Sequence, residues 1–133
     1  MYLSLLNDNQ KSLFLSIALY LAKVDNDYSE EERRIIQSYC VEMNITEENY
    51  VHSNKIMEII SSIDECSDNR AKRIIVLEAV GLAIIDGDYS ENEKKVIKLM
   101  NTYFGLDDCF LDQCENLISQ YVEFQKQFNH LIL

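Results

Sequence analysis

The chain has 133 residues, 47% of them apolar, with three glycines and no proline. That length fits one domain able to bury its own core without disulfide or metal staples, and the shortage of turn-forming residues points away from sheets and towards helices. Twelve Lys and Arg against 23 Asp and Glu give a net charge of −11, which excludes the basic stripe that nucleic acid requires and disfavours docking on anionic lipid; cations and basic protein surfaces remain as partners.

In chain order, Leu13, Phe14, Ile17, Ala18, Leu21 and Ala22 recur at helical spacing, so a first helix is expected from about Asn9 to Val24. Asp25-Asn26-Asp27-Tyr28 interrupts it. Ser29 then opens a second helix with Glu32 three residues on, the capping-box spacing in which hydroxyl and carboxylate each accept an orphan backbone N–H. Its apolar stripe is Ile35, Ile36, Tyr39, Cys40 and Met43, and Asn44 tolerates the left-handed conformation that ends a helix. Thr46 caps a short helical turn. A third helix carries Ile56, Met57, Ile60 and Ile63, and a polar connector runs from Asp64 to Asn69. From Arg70 to Ile85 the chain is apolar on most faces (Ile74, Ile75, Leu77, Val80, Leu82, Ala83), which places this helix at the centre. Its apolar run is interrupted by Glu78 and is too short to span a bilayer.

Asp86-Gly87-Asp88-Tyr89 breaks the central helix. Ser90 and Glu93 repeat the capping box, and Val96, Ile97, Met100, Tyr103 and Phe104 form the next stripe before Gly105 stops it. A last helix starts at Asp107 or Asp108. Its apolar residues Phe110, Cys114, Leu117, Tyr121, Phe124, Phe128 and Leu131 alternate four and three apart, a heptad stripe. Three heptads are short for a free-standing seam, so the expectation is a helix packed along its own bundle in a monomer, with a homodimer through this helix as the alternative. The fold expected is all-α: a compact multi-helix bundle of about six to seven helices forming a single domain, 1–133.

Cys40, Cys66, Cys109 and Cys114 contain no C-x-x-C pair, and with only His52 and His130 they match no zinc spacing. Free thiols in a reducing cytoplasm are expected. No basic segment followed by an apolar run opens the chain, so no signal peptide is expected. The two histidines are expected on the surface.

The segment from Leu21 to Glu32 repeats 61 residues later, from Leu82 to Glu93. Leu, Ala, both Asp, Tyr, Ser and two Glu are identical between the two, and Arg33-Arg34 and Ile35-Ile36 match Lys94-Lys95 and Val96-Ile97. The stop also repeats: Asn44-Ile45-Thr46 aligns with Gly105-Leu106-Asp107. Agreement across helix, turn, cap and stop predicts an internal pseudo-twofold duplication, with units at approximately 9–46 and 70–107 followed by a C-terminal helix, 108–130.

The string A-x-x-D-G-x-(apolar)-S-x-x-E at a helix start, used twice in a small helical protein, resembles the TerB-like tellurite-resistance family, which includes the N-terminal domain of the DjlA-type membrane co-chaperones. Asp86, Gly87, Ser90 and Glu93 fit the pattern; the first copy departs from it at Asn26, where Gly is usual. No His-Pro-Asp triplet of a J-domain is present. The resemblance implies an all-helical fold and a metal site whose carboxylates are Asp25, Glu32, Asp86 and Glu93.

The residues themselves allow two readings. Oxygen-only ligands suit a hard cation such as Ca²⁺, Mg²⁺ or Mn²⁺, and Asp27 and Asp88 are placed at the rim of a space shared by the two turns. The turn is not an EF-hand: counting from Asp25, the sixth position is Glu30 rather than Gly and the twelfth is Ile36 rather than Glu. Alternatively, Ser29/Glu32 and Ser90/Glu93 only cap their helices. Tyr28 and Tyr89 are expected to pack each turn onto the bundle. No nucleophile–base motif or phosphate-binding loop is present, so no enzyme is expected. Tellurite is an oxyanion that an acidic surface repels. The function expected is therefore a non-enzymatic, cytoplasmic stress-response module binding a divalent cation and acting through a protein partner, or an adaptor with no metal site.

Overall fold

The computed structural model describes residues 1–25, 28–50, 55–85 and 88–133. A 3-10 turn at Leu3–Leu5 precedes α1 (Asp8–Lys23) and α2 (Glu30–Met43); a second at Glu47–Asn49 precedes α3 (Ile56–Cys66), α4 (Asn69–Ile85), α5 (Glu91–Tyr103) and α6 (Asp108–Ile132). No strand occurs among the described residues. The result is the expected compact all-α bundle.

Side-chain caps set most helix starts. Asn7 and Gln10 form a capping box on α1, and Ser29/Glu32 and Ser90/Glu93 do so on α2 and α5. Asp68 accepts the Ala71 N–H at 2.9 Å to open α4, and Asp107 accepts that of Phe110 at 2.7 Å to open α6. α2 and α5 are each followed by a left-handed residue, Asn44 (φ 56°) and Gly105 (φ 73°). Beyond each, an N–H reaches back into the last turn: Ile45 to the Cys40 carbonyl at 3.0 Å, and Leu106 to the Asn101 carbonyl at 3.1 Å. α1 and α4 start 61 residues apart, as do α2 and α5 and the left-handed residues Asn44 and Gly105, while the last residues of these helices are 62 and 60 apart.

α1 and α4 together form the centre. α1 contacts α2, α3 and α4, and α4 contacts α1, α5 and α6. The sequence reading reserved the centre for α4; α1 shares it, burying Leu15 and Ser16 besides its expected stripe. The Ser16 hydroxyl is tolerated there because it donates to the Ser12 carbonyl at 3.1 Å. In α3 the buried face is Ile59, Ile60 and Ile63, and the expected Met57 is exposed. Tyr103, expected on the α5 stripe, is also exposed. Glu78 of α4 is buried where α1 has Ile17, and it accepts the Met1 amino group and the Tyr2 N–H, both at 2.8 Å. Glu42 accepts the Leu3 N–H at 2.8 Å, so two acids tie the first residues across α2 and α4.

The stripe of α6 departs most from expectation. α6 runs in the same direction as α4: the Arg73 guanidinium stands over the Phe110 ring, and an Ile118 methyl lies 3.8 Å from where a side chain on Gly81 would begin. Only Leu111, Cys114 and Ile118 of α6 are buried. α4 ends at Ile85, about level with Val122, and every residue of the chain after Val122 is exposed. Residues 123–132 project beyond α4, roughly 15 Å at a helical rise of 1.5 Å per residue. Leu117, Tyr121, Phe124, Phe128 and Leu131 are exposed, which overturns the packing along its own bundle expected for this stripe.

All four cysteines are unbridged; Cys40 and Cys114 are buried and Cys109 is exposed. Burial, then the nearby Glu115 carboxylate, pushes the Cys114 thiol up to about 11. Among the described residues, no helix is long and apolar enough to cross a membrane.

Candidate functional site

The described ends of the two acidic turns lie close together. α1 and α4 lie together, and each hands the chain to a capped helix at the same end of the bundle. The described parts of the two turns line one cleft of about 450 Å³, formed by Leu21, Ala22, Asp25, Ser29, Glu31 and Glu32 from the first half and Asp88, Ser90 and Glu93 from the second. Among the described residues its lining includes no lysine or arginine. Asp27 and Asp86, two of the six expected acids, lie outside the described residues, as do Asn26, Gly87 and His52. His130 is exposed on α6.

The four described acids stand in different surroundings. Glu32 and Glu93 are buried, 8% and 5% exposed, which sets them apart from ordinary surface capping residues. Glu32 accepts the Ser29 N–H at 3.3 Å and the Ser29 hydroxyl at 3.1 Å, and Glu93 accepts the Ser90 N–H at 3.0 Å. Asp25 and Asp88 are exposed at the rim. The Asn92 amide donates to Asp25 Oδ1 at 2.8 Å, bridging residues far apart in the chain. The side chains of Ser90 and then Asn92 hold the Asp25 carboxyl below the usual carboxylate range, because both favour its ionised form.

Sequence reasoning missed Asn92. It occupies the position that Glu31 holds in the first half, so the signal was a difference between the copies rather than a shared residue. A neutral amide there removes one negative charge from the cleft and satisfies an acid of the other half. Tyr28 and Tyr89 pack partly buried against the core, as expected of them. Each ring also carries a cation from its own helix: Arg33 at 4.4 Å from the Tyr28 ring centre and Lys94 at 5.2 Å from that of Tyr89. The basic residue after each turn is thereby drawn over an aromatic face. Burial, followed by the Glu115 carboxylate, pushes the Tyr89 phenol up.

The donors suit a hard cation chemically, since carboxylate and hydroxyl oxygens are all they offer. As the side chains stand, no group of three carboxylates, imidazoles or thiols among the described residues is gathered closely enough to hold a metal ion. Of the described residues, Asp25, Glu32, Asp88 and Glu93 are the ones that would hold a cation in this cleft.

A second concavity, of about 600 Å³, lies at the other end of α4. Tyr2, Leu5, Ile74, Leu77 and Phe110 give it apolar walls, and Arg70 and Arg73 stand on its rim. Nothing in the sequence reading singled it out, because its walls come from the chain start, α4 and α6. Comparison with family models, with curated proteins and with solved structures found no match.

Proposed function

We propose that this protein is a non-enzymatic, TerB-like stress-response module that binds one divalent cation in the cleft between its two acidic turns and acts through a protein partner in the cytoplasm. One observation carries this reading: acids from turns 61 residues apart line a single cleft with no basic side chain among its described lining. Carboxylates that line one cleft repel one another, and a cation that drew them together would relieve the repulsion with their oxygens as ligands. The same charge disfavours tellurite as a direct ligand, so the resistance implied by the resemblance would run through a metal-responsive assembly.

A second reading has its own support. Ser29/Glu32 and Ser90/Glu93 close complete capping boxes, and Asn92 with Ser90 already serves Asp25. On that reading the acids only hold the helix starts, and the protein is an interaction adaptor without a metal site.

Thermal melts with Ca²⁺, Mg²⁺ or Mn²⁺ separate the two. An ion at 100 times its dissociation constant adds about 2.7 kcal/mol, several degrees for a chain of this size. A shared site requires Asp25→Asn alone, or Asp86→Asn alone, to remove most of that rise. Two rises of half size, each lost independently, would refute the shared site. No stabilisation by any divalent ion would leave the capping role.

A further inference from the structure

We infer that the overhang of α6 is the seam of a homodimer. Leu117, Tyr121, Phe124, Phe128 and Leu131 are 60%, 42%, 56%, 59% and 82% exposed, yet they recur four and three residues apart on one face of a continuous helix. That spacing is the pattern by which one helix packs into a like helix. Most of this face lies where α4 has ended, so the chain's own bundle does not cover it.

The charge pattern selects a second copy as the occupant. The chain carries −11 overall, so two copies repel wherever their bundles face each other. Residues 117–133 contain one acid, Glu123, and one base, Lys126. The positions flanking the stripe are Ile118, Gln120, Gln125, Gln127 and Ile132, none of them charged, where coiled coils place the charges that discriminate between partners. Uncharged flanks impose no penalty on like meeting like. Five large side chains on each of two helices, at roughly 100 Å² apiece, bury about 1,000 Å² in all, the lower bound of a specific interface. An antiparallel pairing also sets the two acidic bundles at opposite ends of the seam.

Sedimentation equilibrium of the whole protein across micromolar concentrations tests this, with and without phosphatidylcholine vesicles. The expected result is twice the monomer mass, unchanged by vesicles. Phe124→Glu should raise the dimer dissociation constant at least about 100-fold, because the carboxylate would be desolvated without a partner, while helical circular dichroism is kept. Phe128→Glu is the second variant, should the first fail to fold. Monomer mass at every concentration overturns the inference. So does a dimer that both variants leave intact, or a wild type that floats with the vesicles as an amphipathic helix instead of dimerising.

Discussion

The two ends of α4 carry opposite chemistry. At its start, Arg70 and Arg73 border an apolar groove; past its finish, Asp88, Ser90 and Glu93 join Asp25 and Glu32 in an acidic, mostly polar cleft. Helices are stabilised by acids in the first turn and bases in the last, where side-chain charge complements the backbone dipole. α4 has neither an acid in its first turn nor a base in its last, and instead sets basic residues at its start. Asp68, just before the first turn, supplies the one acid at that start, accepting the Ala71 N–H. α2 and α5, by contrast, keep the first half of the rule, with Glu30, Glu31 and Glu32 opening one and Glu91 and Glu93 opening the other, though neither has a base in its last turn. The difference between the ends is also one of construction. The acidic cleft includes two pairs of residues 61 apart in the chain, Ser29 with Ser90 and Glu32 with Glu93, whereas the groove draws on the chain start, α4 and α6.

The largest test asks whether the two ends belong to one folding unit. Ile75 is fully buried on α4 between them. Ile75→Ala should lower stability by roughly 2–5 kcal/mol in a single urea transition. Two resolved transitions would show that the ends unfold separately and break the comparison at its root.

The next effect is about 1 kcal/mol for each cap, the usual loss when a serine at the helix start becomes alanine. Ser29→Ala and Ser90→Ala should both show it in denaturant melts. Ser90→Ala should be the more harmful, because Ser90 also favours the Asp25 carboxylate across the cleft. Equal losses would mean that the two halves are independent at this end. At the basic end, Arg73→Ala removes the guanidinium from the Phe110 ring, 5.5 Å away; about 0.5 kcal/mol is expected from an exposed pair of this kind. A loss above about 2 kcal/mol would show that Arg73 braces α6 against α4 rather than standing ready at a groove.

The acidic end was far more legible in the sequence than the basic one, for a physical reason. Caps and stops are local: Ser29, Glu32, Ser90, Glu93, Asn44 and Gly105 act within a few residues of themselves, so spacing alone placed them. Repetition of the same string raised the expectation of a shared space between the two turns, and Asp25 and Asp88 line one cleft. The groove was invisible because Tyr2, Arg73 and Phe110 become neighbours only when α6 lies along α4. The heptad of α6 was read as covered along its length; Phe110 and Cys114 are covered, and Leu117, Tyr121, Phe124, Phe128 and Leu131 are not. Periodicity gives the phase of a helix face, but whether a neighbour extends far enough to cover it depends on where α4 stops. Glu78 is a similar case: its burial follows from the chain start folding back over it, which no local pattern announces.

The smallest expected effect is the most specific to the meeting of the two turns. Asp25 is solvent-exposed, so its carboxyl would titrate near the usual ~3.9 if it stood alone at the end of α1. Its lowered value comes from Ser90 and Asn92, both in the other half of the chain. A group whose folded pKa is depressed stabilises the fold above its unfolded value, and loses that contribution as pH falls through the folded one. Acid melts of the wild type should therefore lose a small increment of stability below the ordinary aspartate range, and Asp25→Asn should flatten that segment of the profile. Asn92→Ala should raise the Asp25 value part of the way back, read directly from the pH dependence of its carboxyl carbon resonance. Ser90→Ala should raise it further, since Ser90 is the larger cause. If neither substitution moves the Asp25 titration, the contact between the turns does not persist in solution, and the cleft loses the bridge that joins its two walls.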